Sequence, residues 1–117
     1  GGDDMASLLV FPQSGGIGLV SGNIFSGQPA PVGGVIIKHG DSGIGPVYIC
    51  LPNLSGSVPT MNSGGSLSSG GLADGWELFP GDPPYFVPRT RMVSGIQSIK
   101  LQCPAASSGT RLFWETQ

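Results

Sequence analysis

The chain has 117 residues, enough for one domain with a modest core, and only 10% of them are charged, with a formal net charge of -2. Five basic residues form no stripe that could neutralise phosphates, so nucleic-acid binding is disfavoured. No apolar run is long enough for a transmembrane helix and no signal-peptide pattern is found, so we expect no membrane partner.

The composition favours a subunit of an assembly over a free monomer. An average globular domain has about 25% charged residues. A surface with far fewer charges suits a protein that buries much of that surface against neighbours. The 21 glycines and 11 prolines fit dense turns between short apolar runs better than they fit disorder. We therefore expect an all-β fold, a small antiparallel β-sandwich or barrel with an extended N-terminal segment.

The first 32 residues are predicted to be an extended N-terminal arm or the first strands, ahead of a β-sandwich domain at 33–117. Residues 6–11 predict a strand that ends at a proline. Residues 17–25 predict a second strand, which two internal glycines weaken. The proline-containing linker at 26–34 is expected to be extended.

Two strands separated by a six-residue loop are the clearest β-hairpin signal in the sequence. The first lies at 35–39 and the second at 46–51. The second strand alternates, with Tyr48 and Cys50 on the face opposite its valine and isoleucine. The Ser- and Gly-rich stretch at 52–74 follows as a long loop, of the kind that is usually functional or disordered.

The stretch after this loop continues the β pattern. Residues 75–79 predict a short strand, Pro80 and Gly81 match the centre of a type II turn, and 85–87 predicts an edge strand. No ten-residue stretch of the chain has helical periodicity, so little or no helix is expected.

The last two predicted strands differ in how their apolar residues are distributed between the two faces. Residues 98–103 alternate strictly, with Ile99, Leu101 and Cys103 predicted inward and Ser98, Lys100 and Gln102 predicted outward. The final strand at 111–115 has Leu112 and Trp114 on one face and Phe113 on the other. Because both of its faces are partly apolar, either this strand is central or its outer face meets a neighbouring subunit.

No pattern of residues predicts catalysis, a cofactor or a metal ion. His39 is the single histidine, and although Asp41 is near it, no nucleophile motif accompanies them, so a structural or exposed role is favoured. Strand parity does not bring Cys50 and Cys103 together, so free thiols are favoured over a disulfide. Two cysteines and one histidine at these spacings match no zinc pattern.

The aromatic residues of the second half have two interpretations. They could form a platform on which sugar rings stack, or they could fill the core and a subunit interface. Short β-sandwiches need large aromatic side chains to fill their layers, so core and interface are favoured. The residues are Trp76, Tyr85, Phe86, Phe113 and Trp114.

From residue 33 onward, a hairpin sequence, a loop, a turn motif and a second hairpin sequence follow one another. The hairpin sequence VIIKHGDSGIGPVYIC is followed by a Ser- and Gly-rich loop and by the turn motif GWELFPG at 75–81. A final hairpin combines IQSIKLQ at 96–102 with SGTRL at 108–112. This order resembles small β-sandwich proteins of tailed-bacteriophage particles. That family favours an aromatic residue or valine where Lys100 and Gln102 stand here.

The resemblance implies a structural protein of the virion surface, either a capsid decoration (cement) protein or a small head or tail accessory. Such a protein is not an enzyme and needs no cofactor. Its implied partners are the major capsid protein or other virion subunits, and we expect a homo-oligomer, a trimer or a dimer. Intersubunit contacts are predicted at Phe113, Phe11, Pro29 and Pro31.

Two alternatives stay open from the sequence. The loop at 52–74 and the aromatic residues would suit a carbohydrate- or receptor-binding β-sandwich module of a phage fibre or a cell-surface protein. A hydrolase that uses His39 is the less favoured alternative, because no partner residues for a catalytic triad are evident.

Overall fold

The computed structural model describes residues 6–19, 30–40, 44–52, 61–62, 64, 67, 75–93 and 95–117. The strands are β1 (Ala6–Val10), β2 (Ile17–Gly18), β3 (Val35–His39), β4 (Val47–Cys50), β5 (Gly75–Leu78), β6 (Tyr85–Val87), β7 (Lys100–Gln102) and β8 (Thr110–Thr116). Three single-turn 3-10 helices lie at Arg89–Arg91, Ile96–Ser98 and Ala105–Ser107, and no α-helix occurs in the described ranges. The predicted all-β character is confirmed.

The strands form two four-stranded antiparallel sheets. Sheet A has the order β1-β8-β3-β6 and sheet B the order β2-β7-β4-β5. The first strand pairs with the eighth, the second with the seventh, the third with the sixth and the fourth with the fifth. This nested pairing across two sheets is the strand order of a jelly roll. The predicted β-sandwich is therefore confirmed, and both β1 and β2 come from the first 32 residues.

The two hairpins predicted from the sequence are wrong in their pairing. The strand at 35–39 is β3 in sheet A, whereas the following strand is β4 in sheet B. The final pair divides in the same way, with β7 in sheet B and β8 in sheet A. An alternating strand specifies which face is buried but not which strand lies beside it. The connections cross from one sheet to the other, and the strands pair with distant parts of the chain.

The core lies between the inner faces of the two sheets, the faces that look at each other. Trp114 is at its centre, directly between Ala6 of β1 and Ile37 of β3 in the register of sheet A. Strand β8 is thus a central strand, one of the two alternatives that the sequence left open, with Phe113 on the outer face. The other fully buried large residues are Leu19, Ile37, Ile49, Leu51, Leu78, Ile99, Leu101 and Leu112.

The turn at 79–82 is type II, as predicted. Gly81 has φ +86°, and the backbone N–H of Asp82 donates to the carbonyl oxygen of Phe79 at 3.1 Å. The side chain of Asp82 closes the turn from the other side, because its Oδ2 accepts the N–H of Phe79 at 2.8 Å. The turn therefore holds Phe79 and Asp82 in fixed positions at one end of the sandwich.

The prediction that Gln102 faces solvent is wrong, because Gln102 is completely buried. Its Oε1 accepts the N–H of Gln13 at 3.1 Å and that of Cys103 at 3.0 Å. Its Nε2 donates to the carbonyl oxygens of Gln13 and Asn62. The alternation of β7 is correct, but the neighbouring segments cover the outer face of sheet B at this point. Ser98 is buried too, since it ends a 3-10 helix instead of continuing the strand.

Glycines bracket β3 and make room for two phenylalanine rings on the outer face of sheet A. Gly34 has φ +87°, and a Cβ there would lie 2.7 Å from the ring of Phe86. A Cβ at Gly40 would lie 2.6 Å from the ring of Phe113. Both rings thus lie directly against glycine backbone, which fixes their positions on this face.

We expect Gly34→Ala to destabilise the fold more than Gly81→Ala, although the two glycines have nearly the same φ of +87° and +86°. Both changes incur the left-handed backbone strain of roughly 1 kcal/mol. Only at Gly34 would the new Cβ also lie 2.6 Å from the carbonyl oxygen of Val87, whereas nothing is within 4 Å at Gly81. The excess should be about 1–3 kcal/mol in urea unfolding. Equal losses for the two variants would contradict this packing.

Replacing Gln102 with Leu should lower the free energy of unfolding by roughly 2 kcal/mol or more, since the buried N–H of Cys103 and the partly buried N–H of Gln13 lose their acceptor. Gln13→Ala is the matched control, because both hydrogen bonds between Gln102 and Gln13 use backbone atoms of Gln13, which the variant keeps. The control should stay within roughly 1 kcal/mol of the original chain in the same urea titration. A mild effect of Gln102→Leu would show that its amide is not a structural anchor.

Candidate functional site

His39 is buried in the sandwich, so of the structural and exposed roles that the sequence left open, the exposed one is wrong. It lies on the inner face of sheet A, and its Nε2–H donates to the carbonyl oxygen of Gly45 at 3.0 Å. This bond ties the end of β3 to the segment that leads into β4. Among the residues that the structure describes, no three His, Cys, Asp or Glu side chains are grouped so that they could hold a metal ion.

The two cysteines are free thiols, as favoured from the sequence. Cys50 lies on the outer face of sheet B, whereas Cys103 points inward. The single S–H of Cys103 is shared between the carbonyl oxygens of Val10 at 3.5 Å and Ser107 at 3.4 Å. Burial raises the pKa of both thiols, that of Cys50 to about 11. Both therefore stay protonated near neutral pH and have little nucleophilic character.

The five aromatic residues considered from the sequence do not form one platform. Trp114 belongs to the core, and Phe86 and Phe113 lie on the outer face of sheet A. Trp76 and Tyr85 stack on each other at an open end of the sandwich, with ring centroids 5.4 Å apart and planes within 7°. The structure thus offers two exposed apolar surfaces, one on the outer face of sheet A and one beside Trp76.

The first surface is the outer face of sheet A. The register places Phe113 between Ser7 and Lys38, and Ile36 between Glu115 and Phe86. Leu9 lies opposite Arg111 on the same face, and the guanidinium of Arg111 donates to Ser7 Oγ at 3.1 Å. We call the set Leu9, Ile36, Lys38, Phe86, Arg111, Phe113 and Glu115 the sheet A face.

The sheet A face combines apolar groups with a few charged ones. Phe86 is 51% exposed, Leu9 is also exposed, and Ile36 and Phe113 are half-buried. Leu9 and Phe86 lie on the two edge strands, and Ile36 and Phe113 lie between them with the charged residues interspersed. An exposed apolar patch of this kind can mark a surface that binds another protein. No other strand layer of the described residues covers this side of the sheet. The arrangement can therefore bury apolar area against a second protein.

The predicted contact residues lie in different places. Phe113 is part of the sheet A face, and Phe11 is exposed just beyond the end of β1. Pro31 is half-buried, and its carbonyl oxygen accepts the N–H of Gly34 at 3.1 Å in a turn before β3. Pro29 lies outside the described residues. Their contacts with other subunits stay predictions.

The sequence analysis missed Leu9 and Ile36 of the sheet A face, and it placed Phe86 only among the aromatic residues of core and interface. Leu9, Ile36 and Phe86 each stand one position from an inward residue of the same strand. The sequence did contain a signal, because consecutive apolar residues in a strand indicate that both of its faces are apolar, whereas strict alternation indicates one buried face. Strands of three to five residues are too short to show which of their two apolar faces lies in the core and which is exposed to solvent.

The second surface is a cleft beside Trp76, which we call the Trp76 cleft. Its cavity of about 490 Å³ is lined by Gly75, Trp76, Glu77, Phe79 and Asp82. A smaller adjoining hollow of about 190 Å³ is lined by Trp76, Asp82, Pro83, Pro84 and Tyr85. The type II turn at 79–82 supplies two of the cleft residues, and the edge strand β5 supplies the others.

The position of Trp76 follows from the topology. Trp76 pairs with Ile49 and Tyr85 pairs with Ile37, so both aromatic rings belong to the inner faces of their sheets. Strands β5 and β6 are the edge strands at the same side of the sandwich. The two rings therefore meet between the sheets at their open edge, where Trp76 closes the core while 49% of it stays exposed.

Comparisons with protein-family models, with curated proteins and with solved structures find no match for the chain. None of the helices in the described ranges is long and apolar enough to cross a membrane. Because one fold serves many functions, the function must be argued from the two surfaces themselves.

We expect the stability to fall in alkali, because the pKa of Cys50 is about 11 in the folded chain against 9.0 for an ordinary thiol. Below pH 9 the thiol is protonated in both the folded and the unfolded chain, and the free energy of unfolding is unaffected. Above pH 9 the unfolded chain ionises first, so up to about 3 kcal/mol of stability is lost as the pH rises through 11. Cys50→Ala should reduce this loss without abolishing it, because burial also raises the pKa of Cys103 and Tyr48. The measurement is urea unfolding with a reductant at pH 8 and pH 11. An unchanged pH dependence in the variant would contradict the assignment to Cys50.

Proposed function

We propose that this chain is a structural virion protein of a tailed bacteriophage, a capsid decoration (cement) protein that binds the shell from outside. It stabilises the shell by burying surface between subunits. Its partner is the major capsid protein or another virion subunit, and its place is the capsid surface. The sheet A face is the observation that carries this proposal.

The sheet A face has the properties that such docking needs. Leu9, Ile36, Phe86 and Phe113 provide apolar area that loses contact with water when a partner covers it. Two of the rings are held against the glycines that bracket β3, so little side-chain freedom is lost on binding. The charged residues on the face are two basic and one acidic, which favours a partner surface with a carboxylate excess.

Two of the four edge strands, β6 and β2, are poorly suited to the addition of a strand, which favours docking through a face. Strand β6 has only three residues, with Pro84 before it and Pro88 after it. Proline cannot donate to a neighbouring strand, so a short edge with prolines at both ends resists pairing. Strand β2, an edge of sheet B, has two residues. The five residues of β1 make the longest edge strand of the two sheets.

The fold and the sequence resemblance support the same proposal. A jelly roll is the architecture of many viral capsid proteins, although lectins and cupins share it. The turn motif at 75–81 and the SGTRL sequence at 108–112 are the patterns that resemble small phage β-sandwich proteins. Such proteins act through contact and not through catalysis. We expect no enzymatic activity and a homo-oligomer, a trimer or a dimer, on the particle.

The proposal predicts that the purified chain binds expanded capsids of its phage at a fixed number of copies per capsid. In co-sedimentation, Phe86→Asp should weaken binding at least ~10-fold, because an aspartate on this face would be buried without a partner. Val93→Asp is the matched control, since Val93 is 50% exposed against 51% for Phe86 but lies outside the sheet A face. The control should bind within about twofold of the original chain.

Circular dichroism of each variant establishes that the mutant chains are folded before binding is compared. Leu9→Asp, at the other side of the sheet A face, should repeat the loss seen with Phe86→Asp. The proposal fails if the folded original chain binds no capsid at low or high salt. The role of the sheet A face fails if both of its variants bind as well as the control.

A further inference from the structure

The Trp76 cleft is not used by the proposed docking, and its chemistry points to a ligand of its own. It lies at the open edge between β5 and β6, whereas the sheet A face lies on the flat outer side of one sheet. A cavity of about 490 Å³ is within the usual size range of small-molecule sites. Its most exposed large residues are aromatic, Trp76 and Phe79.

The aromatic part of the cleft is fixed in advance. Tyr85 supports Trp76 from one side in a nearly parallel stack. Phe79 is held by the turn, whose ends are joined by the two hydrogen bonds between Phe79 and Asp82. A ligand that packs against Trp76 therefore meets a ring whose orientation is already set, so binding restricts few side chains.

The polar part of the cleft consists of carboxylates. Asp82 lines the cavity from the turn, and Glu77 lines it from the outer face of β5, where it pairs with Tyr48; the described lining residues include no basic side chain. The bond to Phe79 N–H uses Oδ2 of Asp82, so Oδ1 is not taken by that bond. Carboxylate oxygens accept hydrogen bonds from hydroxyl, amide and ammonium groups, and they repel anions.

We propose that the Trp76 cleft binds carbohydrate, taking an uncharged pyranose unit of a glycan. A pyranose ring has C–H groups on one face, which pack on an aromatic ring, and hydroxyl groups around its rim, which donate to carboxylates. A purely apolar ligand would leave Glu77 and Asp82 desolvated without partners. A sialylated or sulfated sugar would bring its own negative charge next to two carboxylates. This proposal does not depend on the docking of the sheet A face.

The test uses the two tryptophans as separate reporters. The indole N–H signal of Trp76 comes from the cleft, and that of Trp114 comes from the core. The ¹⁵N-labelled chain is titrated with triacetylchitotriose, cellotriose, maltotriose and lactose, then with 3′-sialyllactose and with choline. At least one of the four uncharged sugars should shift the Trp76 signal saturably with a Kd in the millimolar range, while the Trp114 signal stays in place.

Variants assign the binding to the cleft. Trp76→Phe keeps an aromatic ring against Tyr85 but reduces the stacking area, and it should raise the Kd ~10-fold, measured from the remaining amide signals. Glu77→Gln should raise the Kd several-fold without loss of the fold. Phe86→Ala is the control, since it removes an aromatic residue of similar exposure from the sheet A face, and its Kd should not change.

Three outcomes would overturn the proposal. The first is that none of the four uncharged sugars gives a saturable shift of the Trp76 signal. The second is that choline or 3′-sialyllactose binds more tightly than all of them, which would identify a cation site or an anion-tolerant site. The third is that Phe86→Ala weakens sugar binding as much as Trp76→Phe, which would place the site elsewhere.

Discussion

The pairing of β8 with β1 and β3 is the constraint on which the rest of the structure depends. All five residues of β1 and all five of β3 pair with this one seven-residue strand. Strand β8 also supplies Trp114 to the centre of the core. Because the last strand completes the sheet that the first strand begins, the sandwich closes only when both ends of the chain are in place. Such long-range pairing makes folding slow and cooperative.

Sequence reasoning predicted the local features and failed on the distant ones. The strand at 35–39 and the turn at 79–82 follow from alternation and from turn chemistry, which neighbouring residues determine. The partner of each strand does not follow, because a strand of a jelly roll pairs with one that is far away in the chain. The burial of Gln102 could not be predicted for the same reason, since the residues that cover it are at 13 and 62.

For the two candidate surfaces, too, local features could be predicted from the sequence and features that depend on distant strands could not. Phe113 could be placed on an outer face from the alternation of β8 alone. The exposure of Trp76 could not, because Trp76 shares the inner face with Leu78 and yet is half exposed while Leu78 is buried. The difference arises from the position of β5 at the sheet edge, where the inner face is covered only in part. Edge position is a property of the whole topology, and no local pattern encodes it.

Strand β6 connects the two proposed activities and keeps them apart. Its successive residues Tyr85 and Phe86 point to opposite faces, so Tyr85 supports Trp76 at the cleft while Phe86 extends from the sheet A face. A partner that covers Phe86 on the outer face of sheet A need not cover the inner side of the same edge, where Trp76 lies. A subunit docked on a particle in this way can still present its cleft to solvent. Attachment and glycan binding are thus geometrically compatible in one small domain, because a two-residue alternation directs them to different sides.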